Sequence, residues 1–315
     1  MITVGGFNTA IDRLVTLDVL QPGAVQRVSS VQSYPGGKGV HVAQTIAALG
    51  EPVQLVGLID APHRNVVTRR MSERGVLFHG VEISDGLRQC LALRERDGRM
   101  TEVLDPGPML TAATRDQLVR TLERAIDNSE ALVLTGSLPR GFDSDTYARI
   151  VRHAGSNGLA CLVDASGDAL RHVIDAHPCI VKPNRDEAGQ LAGHAVETPA
   201  QAEAFLRDLY ARGVTRPLVT LGEQGAFGFD GESVWHASLA LKQSTNAVGS
   251  GDCFLAGMAV AHQRGLGFGE SLRLAVACGA ANAMGEETGF VERSTVQALL
   301  SEVRVQRMAA SAVRV

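Results

Sequence analysis

Short apolar runs alternate with amphipathic stretches along most of the chain. Runs MITVGGF (1–7), VQLVGLI (53–59), VLFHGVEI (76–83), CLALRER (90–96) and ALVLTG (131–136) read as strands. LACLVDAS (159–166), the start of CIVKPNRDEAGQLAG (179–193) and PLVTLGEQGAFGFD (217–230) continue the series. Between them VHVAQTIAALG (40–50), VVTRRMSERG (66–75) and TRDQLVRTLERAIDNS (114–129) carry apolar residues at helical spacing, with Gly50 as a stop. The alternation predicts an α/β fold, a mostly parallel sheet flanked by helices. Residues 13–34 break it: LVTLDVL and VQRVSSVQSY alternate apolar and polar around Pro22-Gly23, which predicts antiparallel strands with one open face, a small β lid. A decorative hairpin fits the same letters. The tail after Val291 reads as an amphipathic packing helix. Without a Pro/Ser-rich linker or an internal repeat, residues 1–315 read as one α/β domain plus the lid.

Three glycine-rich loops sit where strands hand over to helices. In NAVGSGDCFLAG (246–257), Gly249-Ser250-Gly251 can turn sharply and offer backbone N–H groups to an anion, ahead of the apolar helix from Phe254. Asp252 stands at that mouth. Its carboxylate can take the proton of an attacking hydroxyl while the helix end favours charge on a transferred phosphoryl group. A glycine turn with Asp252 as a helix cap fits equally. PGGKG (35–39) feeds a second helix and carries Lys38, although GxxxxGK[ST] is absent. GSLPRG (136–141) is the third, and Asn8 to Asp12 closes the first strand, where open α/β sheets bind ligands.

Composition narrows the class. The 315 residues are 45% hydrophobic and 20% charged, enough for a large core. A formal charge of −4 gives no footprint for nucleic acid or an anionic membrane. Cys90, Cys161, Cys179, Cys253 and Cys278 are scattered without CxxC or metal-ligand spacing, so reduced, mostly buried thiols are expected. No apolar run approaches the roughly 18 residues of a membrane span, and the expected location is the cytoplasm.

GGKG (36–39), GSLPRG (136–141), KPNRDE (182–187), TLGEQGA (220–226) and NAVGSGDCFLAG together resemble the PfkB family of sugar kinases, in the ribokinase-like superfamily. Lys38, Arg27 in the lid, Arg88 in GLRQ and ANAMGEETGFV from Ala281 resemble the branch of 1-phosphofructokinase and tagatose-6-phosphate kinase. The resemblance implies Asp252 as general base, with Gly249, Ser250 and Gly251 donating to the γ-phosphoryl group. It implies Asn184 and Glu187 as organisers of Mg²⁺, largely through water, though KPN and an acid also suit an ordinary helix start. Thr220, Gly222 and Gly225 would hold the ATP phosphates and ribose, and Asn282 would lie near the adenine. At the acceptor end it implies Asp12 on sugar hydroxyls, Gly37, His41 and Ser137 beside it, and Lys38, Arg88, Arg27 and Arg140 on the substrate's own phosphate.

The pattern is departed from in four places. His41 stands where the family usually has Asn, Asp60 to Asn65 replace a glycine-rich turn, Cys253 follows the Asp where Ser or Ala is common, and Ala247 replaces Thr. The expected reaction is ATP-dependent phosphorylation of a ketohexose monophosphate, fructose 1-phosphate first, then tagatose 6-phosphate and fructose 6-phosphate. Kinases of uncharged sugars or nucleosides and a non-catalytic binding protein are the alternatives. The family also implies a homodimer through the lid.

Overall fold

The computed structural model describes residues 1–241 and 245–308. Six strands form the central sheet: β1 (Ile2–Gly5), β4 (Val53–Asp60), β5 (Val76–Ile83), β8 (Ala131–Thr135), β9 (Ala160–Asp164) and β10 (Ile180–Val181). Their order is β10-β9-β8-β1-β4-β5, and every pairing is parallel. β1, β4 and β8 are buried along their whole length, as strands covered by helices on both faces must be. The helices are α1 (Lys38–Ala48), α2 (Arg64–Glu73), α3 (Ala112–Ile126), α4 (Thr146–Ser156), α5 (Gly167–Ile174), α6 (Arg185–Ala192), α7 (Pro199–Ala211), α8 (Ser250–Gln263), α9 (Phe268–Met284) and α10 (Arg293–Leu299), of which α1, α2, α3, α4 and α8 pack on this sheet. The expected parallel sheet flanked by helices is therefore present. After β1 the chain builds outward through β4 and β5, then returns to the other side of β1 with β8. The crevice between the carboxyl ends of β1 and β8 is the place where strand order reverses, and such places receive ligands in open α/β sheets.

The second sheet is larger than the pattern predicts. β2 (Ala10–Leu17) and β3 (Ser30–Gly36) pair antiparallel as expected, but β6 (Arg88–Glu95) joins β2 in parallel and β7 (Met100–Leu104) joins β6. CLALRER thus leaves the central sheet to which its position in the alternation had assigned it. A half-buried strand reads the same from sequence whichever sheet takes it. In this register Asp12, Tyr34, Cys90 and Leu104 share one face, with Leu14, Gln32, Ala92 and Glu102 in the next row. The opposite face carries Val31, Leu91, Leu93 and Val103, of which Val31 and Val103 are exposed.

A third sheet, wholly antiparallel, runs β11 (Leu218–Thr220), β12 (Ala226–Phe229), β13 (Val234–Ser238) and β14 (Arg304–Arg307). The tail is a helix only to Leu299. It then forms the edge strand β14, whose exposed Arg304 and Arg307 discourage further pairing. Cys90, Cys161, Cys253 and Cys278 are buried free thiols and Cys179 is half-buried. Among the described residues no helix is long and apolar enough to cross a membrane.

Candidate active site

At the reversal crevice Asn8 Nδ2, just past β1, donates to Ser137 Oγ, just past β8, at 2.9 Å. Arg88 Nε, at the start of β6, donates to the Asn8 carbonyl at 3.1 Å. Lys38 opens α1 directly beneath Gly136. Three elements that the sequence holds far apart thus bring Ser137, Arg88 and Lys38 to one rim.

Lys38 Nζ and Lys182 Nζ both reach Asp164 Oδ2, the last residue of β9, at 3.3 and 3.2 Å. Asp164 and Lys182 are almost wholly buried, whereas the Lys38 side chain is 40% exposed. The pull of Asp164 raises the Lys38 ammonium above its ordinary value, outweighing burial. Burial works to raise the Asp164 carboxyl, but Lys182 and Lys38 hold it below its usual range. Its second oxygen, Oδ1, is buried without a hydrogen-bond partner.

The acid and the glycine loop meet at the start of α8. Gly249, in the left-handed region at φ 82°, caps the helix; a side chain there would strike the backbone of Gly289. The Gly249 and Gly251 N–H groups donate to no group among the described residues, and both glycines reach solvent. Lys182 Nζ lies just under Gly251. Two free donors and an ammonium make this mouth fit for a phosphoryl group. Asp252 is buried at its side and accepts, through Oδ2, from His41 Nδ1 at 2.8 Å. His41 Nε2 bonds Asp12 Oδ2 at 2.9 Å, and that same oxygen accepts from the Gly37 N–H at 3.2 Å. Burial works to lower the His41 imidazole, but its bonds to Asp12 and Asp252 raise it to about 10. Burial works to raise Asp12, and His41, the Gly37 N–H and Arg88 bring it below its ordinary value.

Other expected residues fall elsewhere. Asn282 is fully buried; its Nδ2 donates to Val248 O, Ser250 Oγ and Asn246 O, and its Oδ1 accepts from Gly289 N–H. It has no surface left for an adenine, and it shapes the 246–250 loop from below. Asn184 Oδ1 accepts from Glu187 N–H while Glu187 Oε2 accepts from Asn184 N–H, a reciprocal cap on α6. That leaves Glu187 Oε1 for a cation, while Asn184's oxygen is engaged. Burial, then the Asp164 charge, raises Glu187. Among the described residues no three His, Cys, Asp or Glu side chains gather to hold a metal directly, and a hydrated Mg²⁺ fits such a donor set better than a bare ion. Thr220 bridges backbone to Asn184; Gly222 faces open space, but Gly225 is pressed against Ala237 and offers no room. Arg27 lies exposed between β2 and β3, and the Arg140 side chain is exposed, its carbonyl accepting from Leu110 N–H. Neither forms a hydrogen bond or ion pair with the rest of the cluster.

Sequence reasoning missed Asp164 and Lys182. A charge ending the apolar run ACLV and a lysine ending CIV were the available signals, since buried charges call for partners. Tyr34 was missed too: its hydroxyl donates to Thr288 Oγ1 at 3.1 Å, tying the second sheet to the segment after α9.

Comparison with known proteins gives a family and a fold for the whole chain. Residues 3–293 match the pfkB family carbohydrate kinases. A Staphylococcus aureus protein provisionally assigned as a phosphofructokinase superposes with a TM-score of 0.81 at 26% identity, covering 99% of this chain and 100% of its own. Phosphofructokinase-2 from Escherichia coli, crystallised with substrates and products, gives 0.88 at 25% identity over 95% and 98%. A Thermotoga maritima protein assigned as a possible 1-phosphofructokinase shares the fold at 0.86 and 20% identity over 98% and 99%.

Proposed function

The chain belongs to the pfkB family of carbohydrate kinases, and on that premise we propose that it transfers the γ-phosphoryl group of ATP to a hydroxyl of a ketohexose monophosphate, fructose 1-phosphate before tagatose 6-phosphate or fructose 6-phosphate. The family fixes the reaction class, phosphorylation of a carbohydrate with ATP as donor. The observation that carries the finer reading is the grouping of Lys38 and Arg88 around the same rim as Asp12 and Asp252. An uncharged acceptor would leave Lys38 sharing the single charge of Asp164 with Lys182, and Arg88 with carbonyl partners only.

In this reading Asp12 Oδ1 accepts from a sugar hydroxyl and Asp252 takes the proton of the attacking one. The N–H groups of Gly249 and Gly251 and the Lys182 ammonium face the charge that develops on the phosphoryl oxygens, so most of the rate comes from positioning and electrostatics. Glu187 would hold a hydrated Mg²⁺, which would supply neutralisation of phosphate charge. Lys38 and Arg88 bind the phosphate already on the sugar, and Gly222 leaves room for the nucleotide beside Thr220. The second sheet closes over the acceptor and excludes water. Its exposed Val31 and Val103 face away from Asp12 and support pairing of two such sheets in a homodimer.

The test is ADP release with Mg·ATP across fructose 1-phosphate, tagatose 6-phosphate, fructose 6-phosphate, free fructose, ribose and adenosine, with Asp252→Asn alongside. Turnover confined to phosphorylated ketohexoses, and reduced about 10²–10⁴-fold by Asp252→Asn, is expected. A neutral acceptor with the highest kcat/KM sinks the phosphosugar assignment.

A further inference from the structure

His41 lies between two carboxylates that the reading above gives to the two halves of acceptor recognition. Its Nδ1 is 2.8 Å from Asp252 Oδ2 and its Nε2 is 2.9 Å from Asp12 Oδ2. Two ionised carboxylates can only accept, so a ring bonded to both must donate from both nitrogens. A neutral imidazole would leave one nitrogen lone pair against a carboxylate lone pair. The ring is also fixed in place: Gly289 lies so close that a side chain there would overlap the imidazole, and Gly289 is itself held by Gln44 Nε2 at its carbonyl and Asn282 Oδ1 at its N–H, each at 2.7 Å. Beyond the two aspartates, Glu102 on β7 faces the charge of the ring, while Tyr34 on β3 and Arg88 on β6 face Asp12 and Lys38 on α1 faces Asp252. The negative groups closest to the ring outweigh its burial and keep it charged well above neutrality.

We propose that His41 is a positioning residue that, as an imidazolium, ties the base carboxylate of Asp252 to the sugar-binding carboxylate of Asp12 and leaves one oxygen of each to face the acceptor. The proposal rests on the reading of Asp252 as the base. Asp12 Oδ1 and Asp252 Oδ1 accept no hydrogen bond among the described residues and are not sealed from solvent, so both point to where a diol fragment would sit. On transfer, the acceptor hydroxyl gives its proton to Asp252 Oδ1, its oxygen forms the new bond to phosphorus, and the bond to the bridging oxygen breaks with its electron pair leaving on ADP. The proton stops on Asp252, and His41 keeps both of its own. Its charge faces both carboxylates before the transfer and Asp12 after it. The Asn usual in the family has no charge to offer, so this chain has joined two sites that an amide would leave electrostatically separate.

Two measurements test this on the intact protein. Imidazole ¹⁵N spectra without substrate should show both His41 nitrogens protonated from about pH 6 to about pH 9, an interval across which a free histidine loses its charge. His41→Asn removes the cation beside the base, so the acid limb of kcat/KM should move up by about 1–3 pH units while alkaline turnover is largely regained. A singly protonated ring at neutral pH overturns the bridge whatever the turnover. An acid limb that superimposes on the wild type overturns the role. Failure of every acceptor with a doubly protonated ring instead strikes the kinase reading and the role of His41 within it, and leaves the bridge standing.

Discussion

Replacing Asp164 by Asn keeps the shape of the side chain and removes one charge, and the structure gives the size of the effect. The Lys182–Asp164 pair, at 3.2 Å, is 3% and 2% exposed, so the substitution strands a buried ammonium at about 3–5 kcal/mol. Lys38, 40% exposed, adds about 0–1 kcal/mol, because water screens it. Urea unfolding at neutral pH should therefore show a loss of about 3–6 kcal/mol. The pH dependence carries a definite sign. The folded carboxyl sits below its unfolded value of about 3.9, so the ion pair stabilises fully above that pH and is lost as the pH falls through the folded value. The gap between wild type and Asp164→Asn should stay constant down to about pH 4 and close below it. Asp164→Asn/Lys182→Met, which removes both buried charges, should recover most of the loss. A single-variant cost under about 1 kcal/mol, or a double variant whose losses simply add, would refute the reasoning.

Three further outcomes are expected. Lys38→Ala and Arg88→Ala should each raise KM for the phosphosugar at least about tenfold, since a charge-assisted bond contributes roughly 1.5–3 kcal/mol, while KM for ATP stays within about twofold; steady-state kinetics with either substrate varied decides this. Asn282→Ala leaves the Gly289 N–H and the 246–250 loop without their partner, and should cost about 1–3 kcal/mol in urea unfolding and lower kcat more than it raises KM for ATP. A direct adenine contact would give the reverse pattern. Val103→Asp should shift the sedimentation coefficient to that of a monomer if the outer face of the second sheet is the dimer contact, and an unchanged coefficient removes that face from consideration.

What the sequence revealed was local. The glycine loops before α1 and α8, and the parallel sheet around them, could be read because a turn, a cap and an apolar period each occupy a few neighbouring residues. Partners could not. His41 meets Asp12 and Asp252 at separations of 29 and 211 residues, and nothing in VHVAQ distinguishes a ring held by two carboxylates from one touching a sugar. Asp164 and Lys182 acquire meaning only as a pair beneath Gly251. The second sheet drew in β6 and β7 because their alternation specifies a half-buried strand and says nothing of which edge will take it. Asn282 resembled a ligand contact at the level of motif, and only its four hydrogen-bond partners reveal it as a brace.

The place of β1 bears on how the protein is made. Its four residues pair with β4 on one side, which follows it by about fifty residues, and with β8 on the other, where Ile2 opposes Ala131. At roughly 5–20 residues per second, the 129 positions from Ile2 to Ala131 take about 6–26 s to synthesise, during which one edge of a fully buried strand stays unpaired. Such an edge is a template for other chains. The N-terminal half therefore spends its synthesis in the form most prone to aggregate, and slower translation before residue 131 should lower the soluble yield by lengthening that exposure.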